Sequence, residues 1–475
     1  MKYFILYILC ILIHTTSTWS QDTIRVDKTD SITYYHIQNY QALDKYINDT
    51  FFGILDSSKY SKLNFIQFGN NHFQFYTPNS PSFERLFFEL RQMVKNNDRK
   101  LNFYHIGGSH VQADIYTNDV RNYLQTYWAK LPGERNWVFP YNLAKTNNPS
   151  SYTFTSDNNW EGHRSVIRKD TTKYGLMGMA IHSNDTLIKM DFRYRKTESQ
   201  PPIQHVRIYH NKGVLPYNIK LESEGISILN QIRDESLGTT DLYLSGETNT
   251  FHLEFSRIID STSYKTDTIR TAEDTTFVCE LIPNPLYLYG FQLLNNRPGI
   301  SYNTIGVNGA GLYNYLDNVY LDEQLKQSPP DLFVFSVGTN DANVTYDQFK
   351  PETYKSNLKK MMQKVLAANP NCAILLTVPN DAYYYRKYPN KNVARERTVI
   401  IELAKEYQIP VWDLYGIMGE LGASKTWRLN GLMKSDYIHF TSEGYHLKGN
   451  MLIESFLKWI HQMEEYQDNS ILKQN

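Results

Sequence analysis

The sequence predicts an α/β protein, a parallel sheet covered by helices, that is interrupted by an all-β sandwich. Three observations carry this. Residues 331–337 and 372–378 are short continuous apolar runs of the kind buried on both faces of a parallel sheet, and 100–106 and 409–414 read as further strands. Helical stripes separate the later runs: Leu358, Met361, Met362 and Val365 within 353–368, then a charged helix over 392–407 and a final one over about 442–466. Between about 150 and 298 the texture changes to short runs rich in Thr, Tyr, Ile and Val, set apart by Asn, Asp, Ser and Gly, with no comparable helical stripe.

Taken in order, Lys2 precedes an apolar stretch from Tyr3 to Ile13, and Thr18 and Ser20 follow at cleavage spacing, so 1–20 reads as an export signal. The run is shorter than the roughly 18–20 residues a spanning helix requires. Ile8-Leu9 before Cys10 lacks the small residue of a lipoprotein signal, so a lipoprotein is not expected, and the mature chain is expected to be soluble and periplasmic or secreted. Residues 21–96 form a lead-in, with a helix over 82–95 whose Leu86, Leu90 and Met93 share a face. The α/β domain then comprises 97–149 and 299–468, with the β-sandwich at 150–298 and a tail at 469–475. In the first part, Tyr116, Val120, Leu124 and Trp128 give a helix after the 100–106 strand one apolar stripe. Candidate strands of the insert are 187–194, 205–209, 218–222, 241–245, 250–255 and 276–281.

Composition narrows the function. The chain has 475 residues, 41% hydrophobic and 14% aromatic, enough for a substantial core and more than one domain. Its 49 basic and 49 acidic residues cancel, so nothing points to nucleic acid or an acidic membrane surface, and a neutral ligand fits better. Cys279 and Cys372 fall in different domains and are not expected to pair. No cysteine framework, metal cluster or cofactor motif is visible, so neither a metal nor a cofactor is expected.

Gly107-Gly108-Ser109-His110 follows a strand and opens a helix, a turn that can present the Ser109 hydroxyl beside a helix N-terminus. An N-capping serine would look the same. Asp436-Tyr437-Ile438-His439 places a carboxylate three residues before an imidazole, a spacing at which Asp436 can accept the ring N–H and fix the tautomer of His439 as a base. His110 is adjacent to Ser109 and reads as a packing or substrate-contacting residue. Gly306-Val307-Asn308-Gly309-Ala310 offers a backbone N–H, and Gly338-Thr339-Asn340-Asp341 offers a side-chain amide, both suited to an oxyanion hole, although each could be a simple turn.

In that order the four blocks resemble the SGNH, or GDSL-type, hydrolases over about 100–149 and 299–465. The resemblance implies a flavodoxin-like sheet, Ser109 as nucleophile, His439 and Asp436 completing a triad, and an oxyanion hole of Ser109, Gly309 and Asn340. The string from His105 to Asp114, that from Ile305 to Ala310, and Trp427 are similar to the exported branch that includes peptidoglycan O-acetylesterases, in which a carbohydrate-binding-like β-domain can follow the nucleophile helix. One departure is Gly108, where that family usually has Asp.

The resemblance implies removal of O-acetyl groups from a cell-wall or other polysaccharide, so an O-acetylated glycan or peptidoglycan is the expected partner. The alternatives are an O-acetyltransferase using the same triad and a catalytically weak polysaccharide-binding protein. Among 37 Tyr and 7 Trp, Trp160 and Trp427 are candidate platforms for a sugar ring.

Overall fold

The computed structural model describes residues 25–29, 32–36, 62–127, 131–195, 200–270 and 275–472. The expected export signal, Cys10 and Trp128 lie outside them. No helix among the described residues is long and apolar enough to cross a membrane.

Five parallel strands form the central sheet, in the spatial order Gly299–Gly306, Lys100–Gly107, Leu332–Ser336, Ala373–Val378 and Val411–Asp413. Counted along the chain this is 2-1-3-4-5, the flavodoxin-like order, whose direction of winding reverses beside the first strand. Alternation along each strand sends side chains to two faces. Leu101, Phe103, Val334, Leu375 and Trp412 face helices Pro81–Asn96, Tyr116–Tyr127 and Ser442–Leu472. Tyr104, Ile106, Phe333, Phe335, Ile374 and Leu376 face helices Pro351–Ala368 and Asn392–Tyr407.

The lead-in is tied into this domain. Gln74 bridges to Val411, and the Asn71 amide bonds the Met451 carbonyl and Glu454 while its oxygen accepts from the Trp412 indole and Ser455.

Two antiparallel sheets make up the inserted β region. One runs Tyr217–Glu222, Thr250–Arg257, Leu187–Tyr194, Tyr152–Thr155. The other runs Ile228–Asp234, Thr239–Thr248, Ile203–His210, Leu286–Leu294, Met179–Ser183, Glu161–Arg164. It also takes in Asn136–Val138, upstream of the expected boundary at 150, through pairing with Phe291–Leu293. A separate hairpin joins Tyr264–Arg270 to Thr275–Leu281. Ile188, Met190 and Phe192 alternate inward with exposed partners, as a half-buried strand requires.

The core of the insert is continuous with one face of the parallel sheet. Trp137, Phe154, Phe291 and Ile208 belong to the same buried cluster as Ile106, Phe335 and Leu376. Cys372 is buried and Cys279 exposed.

Candidate active site

Strand Lys100–Gly107 ends at the switch point, and its chain turns at Gly108 into the short helix Ser109–Gln112. The N–H groups of Val111 and Gln112 both bond the Gly108 carbonyl, so Ser109 stands at the helix N-terminus, where N–H groups lack intrahelical acceptors. The helix stops at Asp114, which takes a left-handed φ of 46°. Burial alone would raise the Asp114 carboxyl, but the guanidinium groups of Arg121 at 2.8 Å and Arg135 at 3.1 Å outweigh it and lower it to about 2. This buried ion cluster fixes the chain behind Ser109.

The structure brings Ser109, His439 and Asp436 into one hydrogen-bonded series. Ser109 Oγ lies 2.8 Å from His439 Nε2, and His439 Nδ1 lies 2.8 Å from Asp436 Oδ2. Asp436 Oδ1 accepts the backbone N–H groups of Ile438 and His439, each at 3.0 Å. Partial burial would raise this carboxyl, but the ring and backbone donors hold it below the ordinary carboxylate range. The carboxylate thus fixes Nδ1 as the protonated nitrogen, leaving Nε2 a lone pair toward the serine. That arrangement can carry a proton off a hydroxyl and return it to a leaving group.

The two glycine-containing turns lie beside the serine. Gly309 is exposed with φ at 86°, a left-handed conformation costly for a side-chain-bearing residue, in the turn closed by the bond from Ala310 N–H to the Val307 carbonyl. Asn340 donates from Nδ2 to the Ala310 carbonyl at 2.9 Å, which joins the second turn to the first. A Cβ on residue 108 would stand 2.8 Å from that Asn340 nitrogen. The absent acid at Gly108 therefore has a local counterpart: the space where a side chain would begin lies against the Asn340 amide.

Two side chains that sequence reasoning gave no role hold these turns. Asp341 accepts the Leu312 N–H through both oxygens, at 3.1 and 3.3 Å, linking the loop after Val337 to the helix after Gly309, and burial pushes its carboxyl up to about 7. Gln112 accepts the Asn308 N–H at 2.7 Å and donates to Thr146 and Asn147. Asp341 was visible as the residue after Asn340, and Gln112 as part of the string after Ser109. Neither has a spacing that reveals its partner.

Three expectations are corrected. Trp427 is fully buried, edge-on to Phe440 and Phe65, with its indole N–H on the Met418 carbonyl, so its ring offers no face to a ligand. Trp160 is buried too, its indole bonded to Ser156. His110 is packed among Tyr445, Phe440 and the His439 ring, with Nδ1 2.9 Å from the Tyr445 hydroxyl. Burial, reinforced by Lys448, keeps its imidazole well below the usual value, so it is a neutral packing residue rather than a substrate contact. An aromatic pair does stand beside the site: the rings of Tyr383 and Tyr437 stack at 4.5 Å, with Tyr437 in the loop between Asp436 and His439.

Ser109, His439 and Asp436 thus meet in one hydrogen-bonded series beside a flavodoxin-like sheet. Residues 286–447 match the GDSL-like lipase/acylhydrolase family, a span that takes in Gly309, Asn340, Asp436 and His439 but not Ser109. The chain thus carries an acylhydrolase domain of the SGNH fold and is a carboxylic ester hydrolase.

Among solved structures, one described as a peptidoglycan O-acetylesterase in action is 18% identical and superposes with a TM-score of 0.63 over 79% of this chain and 96% of its own. A lipase/acylhydrolase from Enterococcus faecalis, 22% identical, overlaps 33% of this chain and 74% of its own with a TM-score of 0.27. An acetyl xylan esterase, 16% identical, overlaps 32% of this chain and 79% of its own, also at 0.27. No curated protein matches the sequence.

Proposed function

We propose that this chain is an exported serine esterase that removes O-acetyl groups from a cell-wall or other polysaccharide. The observation that carries the reading is the series Ser109 Oγ, His439 Nε2, His439 Nδ1, Asp436 Oδ2, with both links at 2.8 Å. Ser109 Oγ attacks the acetyl carbonyl carbon as its proton passes to His439 Nε2. The negative charge on the carbonyl oxygen then rests on the N–H groups of Ser109 and Gly309 and on Asn340. Asn340 Nδ2 has two protons, and its bond to Ala310 uses one, leaving the second for the oxyanion.

As the tetrahedral centre collapses, the bond to the sugar oxygen breaks and His439 returns its proton to that oxygen. The acetyl group remains on Ser109. Water, deprotonated by His439, releases acetate and restores the serine. A glycan alcohol as leaving group is supported by the Tyr383–Tyr437 pair, flat apolar faces of the kind on which pyranose rings stack, and by the β region in the same chain.

Ser109→Ala is expected to lower turnover of a chromogenic acetate ester by about 10³-fold or more with the circular dichroism spectrum unchanged. Turnover at the wild-type rate would overturn the nucleophile. Acetate release from O-acetylated peptidoglycan and from acetylated xylan, measured in parallel, distinguishes these polymers, and release from neither would overturn the cell-wall assignment.

A further inference from the structure

The insert contains a cluster of metal-ligating side chains that the ester chemistry does not use. Glu161 and His163 alternate on the edge strand Glu161–Arg164 and so share one face, and His182 is the direct cross-strand partner of Glu161. The ligand atoms of Glu161, His163 and His182 all lie within 4.8 Å of one another. His163 Nε2 and His182 Nδ1 point at each other at 2.8 Å, and a Glu161 carboxylate oxygen lies 3.8 Å from His182 Nε2.

Around them is the outer shell that metal sites use to orient their ligands. The other nitrogen of His163, Nδ1, is 2.9 Å from Asp170 Oδ2 and 3.1 Å from the Thr172 hydroxyl. A histidine that donates its second N–H to a carboxylate is the usual arrangement for an imidazole bound to a divalent ion. Tyr287, the cross-strand neighbour of His182 on its other side, stacks on the His182 ring at 4.8 Å and fixes its plane. Both imidazoles are mostly enclosed, at 12% and 14% side-chain exposure, while the Glu161 side chain is 71% exposed and free to turn inward. Two held rings and one solvent-facing carboxylate leave an open side for ion and water.

We propose that Glu161, His163 and His182 bind a divalent transition-metal ion of the zinc class on the edge of the larger antiparallel sheet. Two nitrogens and a carboxylate oxygen suit such an ion better than calcium or magnesium, which take oxygen. Tetrahedral bonds of about 2.0–2.1 Å set ligand nitrogens roughly 3.3 Å apart, so the rings part by about half an ångström as the ion replaces the proton they share. The ion staples the edge strand to its neighbour. That strand leads into Ser165, whose carbonyl accepts the Asn314 amide at 3.1 Å, so the clip lies close to the junction with the acylhydrolase domain.

The test is calorimetric titration of zinc into full-length protein freed of metal by chelation, with thermal unfolding alongside. Wild type is expected to take up one equivalent with a Kd of about 10 µM or below and to melt at a higher temperature with zinc. His163→Ala and His182→Ala are expected to lose the uptake and the thermal shift, and Asp170→Asn to weaken binding about tenfold or more while folding normally. Turnover of the chromogenic acetate should be unaltered in all three variants. Absence of saturable uptake by wild type, uptake that survives His182→Ala, or full affinity in Asp170→Asn would each overturn the site. None of these results depends on the esterase reading.

Discussion

Replacing Asp436 by Asn isolates the part of the site that sets the histidine tautomer. The carboxylate makes three bonds: Oδ2 accepts His439 Nδ1–H at 2.8 Å, and Oδ1 accepts the N–H groups of Ile438 and His439 at 3.0 Å each. An asparagine can satisfy only one side of this arrangement. If its oxygen stays on the two backbone donors, its NH₂ faces Nδ1, and His439 must carry its proton on Nε2, where it cannot accept from Ser109.

If the amide flips to restore the tautomer, its NH₂ meets two N–H donors and two hydrogen bonds are lost, about 1 kcal/mol each. At about 1.4 kcal/mol per factor of ten, a 2 kcal/mol preference alone leaves only a few per cent of molecules in the competent orientation. Loss of the negative charge that stabilises the imidazolium adds to this. The combined effect is a fall in kcat of about 10²–10⁴-fold, the upper end being the loss known for the equivalent change in a fully buried triad. Here the Asp436 side chain is 19% exposed, which softens the charge effect. The assay is turnover of a chromogenic acetate ester by Asp436→Asn and Asp436→Ala against wild type, each checked for fold. An Asn variant within threefold of wild type would refute the tautomer argument.

Two further outcomes follow from contacts nearby. Gly108→Ala is expected to push the Asn340 amide away from its place against residue 108 and lower kcat/KM by about tenfold to 10²-fold, less than the roughly 10²–10³-fold for losing one oxyanion donor outright, with little change in Tm. Kinetics indistinguishable from wild type would separate Asn340 from the oxyanion. Lys448 is buried with its ammonium 4.1 Å over the Tyr116 ring, and burial lowers it to about 7. Because the unfolded chain binds that proton up to about pH 10.5, the penalty is full below pH 7 and fades as pH rises between the two values. Lys448→Met is therefore expected to stabilise the fold most at pH 6, by at most about 5 kcal/mol less what the aromatic faces return, and progressively less toward pH 10, read from denaturant unfolding. A gain that grows with pH would refute the assignment.

What could be read in the sequence depended on whether a residue's partners were nearby in the chain. Asp436 and His439 are three apart, and the turns at Gly309 and Asn340 directly follow apolar strands, so local spacing revealed them. Ser109 was ambiguous alone because a helix-capping serine occupies the same position, and its base lies 330 residues away. Trp427 and His110 looked available to a ligand because aromatic residues serve equally in cores, and only packing against Phe440 distinguishes the two.

The strand Ile228–Asp234 was not anticipated because it is largely exposed on both faces and lacks alternation. Leu286–Leu294 is buried almost throughout and contains Gly290, which breaks the strand pattern. Glu161, His163 and His182 carry no metal-site spacing, since strand pairing assembles them.

The insertion between the first two strands of the parallel sheet also imposes an order on biosynthesis. Lys100–Gly107 pairs with Gly299–Gly306 on one side and Leu332–Ser336 on the other, so a nascent chain holding the Ser109 turn has no sheet in which to place it until the whole insert has been made. Long-range pairing of this kind is slow and leaves apolar strand edges waiting for partners. The β region, whose core continues into that of the sheet, is in position to fold first and offer the returning strands a surface to condense on. A lesion in the insert would then appear as a poor yield of folded enzyme, while the molecules that do fold keep their normal turnover.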